Sequence, residues 1–398
     1  MRDDVTLLAG SAQPFPDPWV PFDPRAMRFL ADLSGALRRA PEIRRYEAAY
    51  AFGFWCRRVR LEALERRHSL SGVRVGRGLV FHVPPSNVPA LFAYTMSIGL
   101  LAGNSNIVRL STRRGEADAA LLALLKQVLD SPEHQEVKDR LSIVSYGRDS
   151  GITAAYCARC DARVVWGGDV TAAAIRAMPV PPHAVELVFP DRWSLALFSQ
   201  AAFSAMSGEE RAETARRFYH DTYQLDQNAC ASPHLVLWLT DGGTADCRSL
   251  WWTAVAEQAA RRYNLGGWQA ARKKELLCRC IMTMRTPSIA SVERYGGNLL
   301  YVACLDQLPA GPAGARGGFG LFFQSELHCL EELLPLLSPR VQTLVCGGME
   351  PEPLARWLAR HGARGVDRVV SPGRALEMDT IWDGRDLIEG LSRRIEWG

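Results

Sequence analysis

The residue types best suited to covalent chemistry gather in one short stretch, Asp226-Gln227-Asn228-Ala229-Cys230-Ala231-Ser232-Pro233-His234. This is a polar loop with one cysteine, set between a predicted helix and a predicted strand. A loop thiol near hydrogen-bond donors is placed to act as a nucleophile, whereas a cysteine within an apolar run behaves as a small hydrophobe. The second reading holds for most of the ten cysteines. His234 is a further candidate, as helper to the thiol or the leaving group, although a histidine heading a strand is more often packed. Cys157-x-x-Cys160 and Cys278-x-Cys280 fall in helical stretches with no second ligand pair at zinc spacing, so no metal is expected.

Three other motifs carry polar groups to predicted strand ends. Val83-Pro84-Pro85-Ser86-Asn87-Val88-Pro89 sets an amide between prolines that fix a turn, and an amide N–H is a donor suited to a developing oxyanion. Asn106-Ile107-Val108-Arg109-Leu110 runs into Ser111-Thr112-Arg113-Arg114, cations and a hydroxyl suited to a cofactor phosphate. Trp166-Gly167-Gly168-Asp169 opens a helix after a strand, where glycines allow a pyrophosphate close to a helix N-terminus. It lacks G-x-G-x-x-G, so it is not a standard dinucleotide turn.

The elements that must position these groups read as alternating strands and helices. Strands are expected at Leu79–Val83, Asn106–Leu110, Leu141–Val144, Arg163–Trp166 and Ala184–Val188. Crossover helices are expected at Pro89–Leu101, Glu116–Leu129, Ser150–Cys157 and Thr171–Met178. That rhythm predicts a doubly wound parallel sheet with its ligand site at the carboxyl ends of the strands. A second unit follows, with a helix at Glu209–Tyr223, a strand at His234–Leu239 and helices at Thr244–Tyr263 and Gln269–Met284. Strands or helices at Gln342–Cys346, Pro353–His361 and Val366–Val370 complete it. Leu308–Gly320, rich in Pro, Gly and Ala, reads as a flexible surface loop. Phe15–Pro24 reads as an extended arm lying on a surface, of this chain or of a partner subunit. Trp251-Trp252 reads as core or subunit interface. The expected domains are 1–204 (arm and cofactor binding), 205–372 (catalytic) and 373–398 (a tail packing back on the body or on a partner).

The order of Asn-Pro turn, strand-end cation, Gly-Gly turn and loop cysteine resembles the aldehyde dehydrogenase superfamily. Val-Val-Trp-Gly-Gly-Asp at Val164–Asp169, Gln-Asn-Ala-Cys-Ala-Ser-Pro at Gln227–Pro233 and Asp-Thr-Ile-Trp-Asp-Gly-Arg-Asp-Leu-Ile at Asp379–Ile388 are most similar to its LuxC-type long-chain acyl-CoA reductases. The resemblance implies an aldehyde dehydrogenase-like α/β fold, with a doubly wound cofactor-binding domain and a second α/β catalytic domain. It implies Cys230 as nucleophile, and Asn87 with the Cys230 N–H as oxyanion donors. Glu186, in Glu186-Leu187-Val188-Phe189, takes the place of the general base. Arg109 falls at the ribose of the cofactor, with Pro85, Ser86, Ser111, Arg113, Gly167, Gly168 and Asp169 around it. The reaction implied is NADPH-dependent reduction of an acyl thioester, from acyl-CoA or acyl-carrier protein, to an aldehyde through an acyl-cysteine. Guanidinium and hydroxyl groups after Arg109, in place of a carboxylate, favour the 2′-phosphate of NADPH. Two alternatives stay open: oxidation of an aldehyde to an acid, and a non-catalytic acyl-holding partner in a biosynthetic complex.

Composition narrows the remaining classes. A net charge of +4 over 398 residues, dispersed along the chain, gives no ground for nucleic-acid binding. No apolar run is long enough to span a bilayer, and the acidic, Pro-rich start does not read as a signal peptide. Ten unevenly spaced cysteines suit a reducing compartment, so a cytoplasmic protein, possible as a homo-oligomer, is expected.

Overall fold

The computed structural model describes residues 5–68, 72–147, 151–311 and 314–398. The chain divides into two compact units, 1–190 with 378–398, and 191–377. The division after residue 190 lies upstream of the boundary expected at 204, and the C-terminal segment from 378 belongs to the first unit.

The first unit contains strands β1 (Thr6–Gly10), β2 (Arg74–Gly76), β3 (Leu79–Val83), β4 (Ser105–Leu110), β5 (Leu141–Ser145), β6 (Ala162–Trp166) and β7 (Val185–Phe189). Its helices are α1 (Pro24–Arg39), α2 (Glu47–Trp55), α3 (Arg58–His68), α4 (Leu91–Leu101), α5 (Glu116–Leu129), α6 (Gln135–Lys138), α7 (Ile152–Cys157) and α8 (Asp169–Arg176). Residue 150, where the sequence places the start of α7, lies outside the described residues. Six strands form one sheet in the order β1-β5-β4-β3-β6-β7. Every neighbour pair is parallel except β1 with β5. β3, β5 and β6 are buried along their whole length, which is why they read as unbroken apolar runs. From β3 the chain passes to β4 and β5 on one side, then returns to β6 on the other. The winding therefore reverses between β3 and β6, where such sheets bind ligands at their carboxyl ends.

The proline-rich arm packs on this same unit. The N–H groups of Phe15, Trp19 and Phe22 donate to the carbonyls of Asp139, Gly103 and Leu101 at 2.7–2.9 Å. The Trp19 ring lies between the guanidiniums of Arg25 and Arg140, 4.1 and 4.2 Å from its centroid. Gly103, at φ +85°, is required here, since a Cβ would come within 2.2 Å of the Trp19 carbonyl oxygen. The C-terminal strand Ser392–Arg394 pairs antiparallel with β2, and Asn104 Nδ2 donates to the Leu391 carbonyl at 2.8 Å.

A buried polar network ties the centre of the sheet together. His82 on β3 bonds Thr95 Oγ1 on α4 through Nδ1 (2.7 Å) and Asn106 Oδ1 on β4 through Nε2 (2.8 Å). Trp166 Nε1 on β6 also donates to Thr95 Oγ1, at 3.2 Å. Burial pushes His82 down to about 4, with the Asn106 bond opposing. Its folded value lies below that of a free histidine, so the unfolded chain binds more protons between the two. The neutral ring's contribution is therefore complete above about pH 6.5 and is lost as pH falls toward 4. Because His82→Gln removes this titration, its destabilisation relative to native should shrink by about 2 kcal/mol between pH 7 and pH 5. Urea titrations at the two pH values measure that gap, and a constant gap would refute the buried neutral ring.

The second unit holds β8 (Trp193–Ser199), α9 (Gln200–Ala205), α10 (Gly208–Thr222), β9 (Pro233–Leu239), α11 (Asp246–Arg262), α12 (Gly267–Thr283), β10 (Ile289–Tyr295), β11 (Leu300–Leu305), β12 (Leu321–Leu327), β13 (Val341–Gly347), α13 (Pro351–Arg360) and β14 (Arg368–Val370). They form a seven-stranded sheet, β10-β11-β12-β9-β8-β13-β14, antiparallel only between β10 and β11. One face is filled by Phe198, Phe203, Phe218, Trp238, Trp251 and Trp252. Trp251 and Trp252 are thus core, and the indoles of Trp238 and Trp252 both donate to Gln324 Oε1, at 3.1 and 2.9 Å.

Candidate active site

Topology collects the predicted groups of the first unit at one sheet edge. The Asn87 turn follows β3, Ser111 and Arg113 follow β4, and Gly167, Gly168 and Asp169 follow β6, three adjacent parallel strands. The turn is pinned at Ala90, whose N–H donates to Asp118 Oδ1 on α5 at 2.8 Å, while Ala90 takes a left-handed backbone (φ 63°). Pro85 is half-buried, Ser86 and Asn87 are exposed, and among the described residues the Asn87 amide makes no hydrogen bond. An unspent donor at the switch point is available to a ligand.

Arg109 is the penultimate residue of β4, with its guanidinium carbon 5.0 Å from the centroid of the Tyr146 ring. Its Nε is buried without a hydrogen-bond partner among the described residues, as are the Nε atoms of Arg163, Arg211 and Arg248. Arg113 and Arg114 stay exposed beyond it, the Arg113 N–H donating to Ser111 Oγ at 3.1 Å. A Cβ on Gly168 would meet nothing within 4 Å, which leaves open ground at the start of α8. Asp169 occupies the first position of that helix. Its carboxylate complements the helix dipole but opposes a pyrophosphate in the same place, so Gly168 is the better contact of the pair.

Glu186 is not brought to this edge. It is the second residue of β7, facing Arg163 on β6, and its Oε2 accepts from Arg163 Nη2 at 2.6 Å. Arg163 is fully buried and also donates through Nη1 to the Ile175 and Met178 carbonyls at 2.7 and 3.1 Å, closing the last turn of α8. The sequence motif suggested a general base; the geometry pairs Glu186 with Arg163 at the amino end of β7, away from the carboxyl edge where the other predicted groups gather.

In the second unit, β12, β9 and β8 are neighbours and run parallel, so the segments preceding them converge at the amino edge. Cys230 precedes β9, Asp191 precedes β8 and Arg316 precedes β12. Cys230 is half-buried, with Sγ 3.7 Å from Asp191 Oδ1. Arg316 grips the same carboxylate with both nitrogens, Nη1 to Oδ2 at 2.6 Å and Nη2 to Oδ1 at 3.1 Å. The Cys230 carbonyl accepts from Ser194 Oγ on β8 at 2.7 Å, which fixes the loop's main chain. Gln227, buried in a left-handed conformation (φ 62°), donates to the Pro233 carbonyl at 3.2 Å and accepts from the Gly320 N–H at 3.1 Å.

The stretch expected to be a flexible loop is therefore anchored at its end. Ala315 and Phe319 are buried, and the Phe319 N–H donates to the Asp226 carbonyl at 3.0 Å. Sequence reading missed both Asp191 and Arg316. The available signal was an arginine inside a Gly-rich run that precedes an apolar strand.

His234, second in β9, is buried, and both ring nitrogens lack partners among the described residues. Burial, reinforced by the Arg316 charge and opposed by Asp191, pushes it down to about 3. It is a neutral ring near the pair and supplies no charge to the thiol. Acid stability of this unit is not set by His234 alone, because burial pushes Asp221 up to about 7 against two backbone donors, with the opposite pH dependence. No group of three or more His, Cys, Asp or Glu that could hold a metal occurs among the described residues. No helix there is long and apolar enough to cross a membrane.

The sequence profile of the acyl-CoA reductase (LuxC) family matches residues 57–261, just over half of the chain. The chain belongs to the acyl-CoA reductase (LuxC) family. Its fold is that of the aldehyde dehydrogenases. KauB from Pseudomonas aeruginosa superposes with a TM-score of 0.64 at 14% identity, over 93% of this chain and 82% of that one. Aldehyde dehydrogenase 21 from Physcomitrella patens gives 0.64 at 12% identity, over 93% and 84%. Methylmalonate-semialdehyde dehydrogenase from Oceanimonas doudoroffii gives 0.63 at 10%, over 94% and 86%. No curated protein sequence matches the chain. Family and fold together make this LuxC-family chain an oxidoreductase and imply a nicotinamide cofactor. The open Gly168 and the exposed guanidiniums of Arg113 and Arg114 fit such a dinucleotide.

Proposed function

We propose that this LuxC-family chain reduces an acyl thioester to the aldehyde with NADPH, through an acyl thioester on Cys230. The observation that carries the reading is the setting of that thiol: half-buried, in a loop fixed by Ser194 and Gln227, and beside a paired Asp191. Fully buried thiols of this chain such as Cys56 and Cys160 are pushed up by burial, which suppresses the reactive thiolate.

Cys230 sulfur bonds to the acyl carbon, the carbon–sulfur bond to the carrier thiol breaks, and the carrier thiolate takes a proton. Asn87 and the Cys230 N–H receive the oxyanion. When bound, the nicotinamide supplies hydride to the acyl carbon. Collapse of the resulting thiohemiacetal oxyanion ejects Cys230 as thiolate and frees the aldehyde. Glu186 is paired with Arg163 on the neighbouring strand, which speaks for reduction of a thioester over a base-assisted hydrolysis to an acid. The hydroxyl and cations at Ser111, Arg113 and Arg114 suit the 2′-phosphate of NADPH, because a carboxylate there would repel it. The acyl donor is acyl-CoA or an acyl-carrier protein.

Intact-mass analysis of the full chain after mixing with acyl-CoAs and acyl-carrier proteins tests the reading. The expected result is one acyl adduct on the native chain and none on Cys230→Ala. An equal adduct on the variant would overturn it.

A further inference from the structure

We propose that the Asp191–Arg316 pair positions Cys230 and sets its reactivity, with the two members acting in opposite directions on the thiol. The inference rests on Cys230 as the nucleophile and adds residues that lie outside the motifs carrying the family likeness. Three unrelated segments deliver the group: the chain before β8 brings the carboxylate, the loop before β9 the sulfur, and the end of the Gly-rich stretch the guanidinium.

The arrangement has a definite electrostatic logic. Asp191 Oδ1 is shared, accepting from Cys230 Sγ at 3.7 Å and from Arg316 Nη2 at 3.1 Å. The thiol is thereby oriented toward the carboxylate, but a bare carboxylate so close would oppose its ionisation. Arg316 neutralises that charge and attracts the thiolate, so its removal should suppress the reactive form and removal of Asp191 should favour it. Asp191 in turn holds Arg316 above its ordinary range, with Cys230 adding to the effect.

His234 is neutral, as its burial dictates, Arg192 pairs with Asp367, and Asp226 accepts from the Tyr263 hydroxyl. Gly317 holds the path of the Arg316 segment, since a Cβ there would meet the Leu321 carbonyl oxygen at 1.8 Å. A purely structural ion pair would predict a loosened loop in either variant, with no sign difference at the sulfur.

The test is the pH profile of iodoacetamide alkylation at Cys230, read by peptide mass on the full-length chain. Arg316→Gln should move the midpoint up and slow alkylation at pH 7 about tenfold. Asp191→Asn should move the midpoint down, and Arg316→Lys should keep most of the native behaviour. Melting temperatures identify any variant that does not fold, and Arg316→Lys then carries the comparison with Asp191→Asn. Midpoints that stay fixed, or move in the same direction, overturn the inference. If they stay fixed while an acyl adduct still forms on Cys230, this inference fails and the proposed function survives. If they move as expected and no adduct forms, the proposed function fails and the inference stands.

Discussion

Cys230→Ala should leave aldehyde formation from an acyl thioester at about a thousandth of the native rate or below. The size of the loss follows from what the sulfur does. It splits one hard displacement into two easier ones, and without it hydride must reach a thioester that is tied to the enzyme by binding alone. The variant should fold normally, because the side chain is half-buried, its sulfur contacts Asp191 at the long distance of 3.7 Å, and the Ser194 bond goes to the backbone carbonyl. Aldehyde yield and NADPH consumption, measured together with the melting temperature, separate lost chemistry from lost structure. A variant keeping a tenth of the native rate would remove the covalent step from the reaction.

The sequence made the first unit legible for a physical reason. A strand buried on both faces reads as a short apolar run, too brief for a helix and bounded by turn residues, whereas a helix needs a longer periodic stretch; β3 and α5 fall at the predicted residues, Leu79–Val83 and Glu116–Leu129. β8 was hidden because it begins at Trp193, four residues after β7 ends, with no crossover helix between them. A reading built on strand–helix alternation leaves no place for a strand there, and the expected boundary slid from 190 to 204 as a result. β10 was hidden by its half-exposed, mixed surface at the sheet edge.

The sites divide along the same line. The placing of Asn87, Arg109 and Gly168 at one sheet edge was legible because each lies on or within a few residues of the strand that carries it. Asp191 and Arg316 are 125 residues apart and meet only because β8, β9 and β12 are neighbours in the sheet. Spacing in the chain says nothing about that order. Glu186 shows the converse: its motif suggested a base, and the residue that it faces and pairs with, Arg163 on β6, could not be read from that motif.

Asn87→Ala should lower the rate of acyl transfer to Cys230 by about 10²- to 10³-fold, the usual loss when one oxyanion donor is removed. The charge on the acyl oxygen grows only as the thiolate attacks, so the donor matters most in the transition state. Substrate KM should therefore change much less than kcat. Stability should not follow the rate, because the side chain is exposed and makes no hydrogen bond among the described residues. The turn is held without it, by Pro84, Pro85, Pro89 and the Ala90–Asp118 bond. Asn87→Asp sharpens the test: it keeps the size of the side chain while turning a donor into a carboxylate, so it should be at least as slow as the alanine variant. Single-turnover acylation followed by mass, with NADPH binding measured alongside, separates this role from a cofactor contact. Unchanged acylation in both variants would move the oxyanion duty away from Asn87.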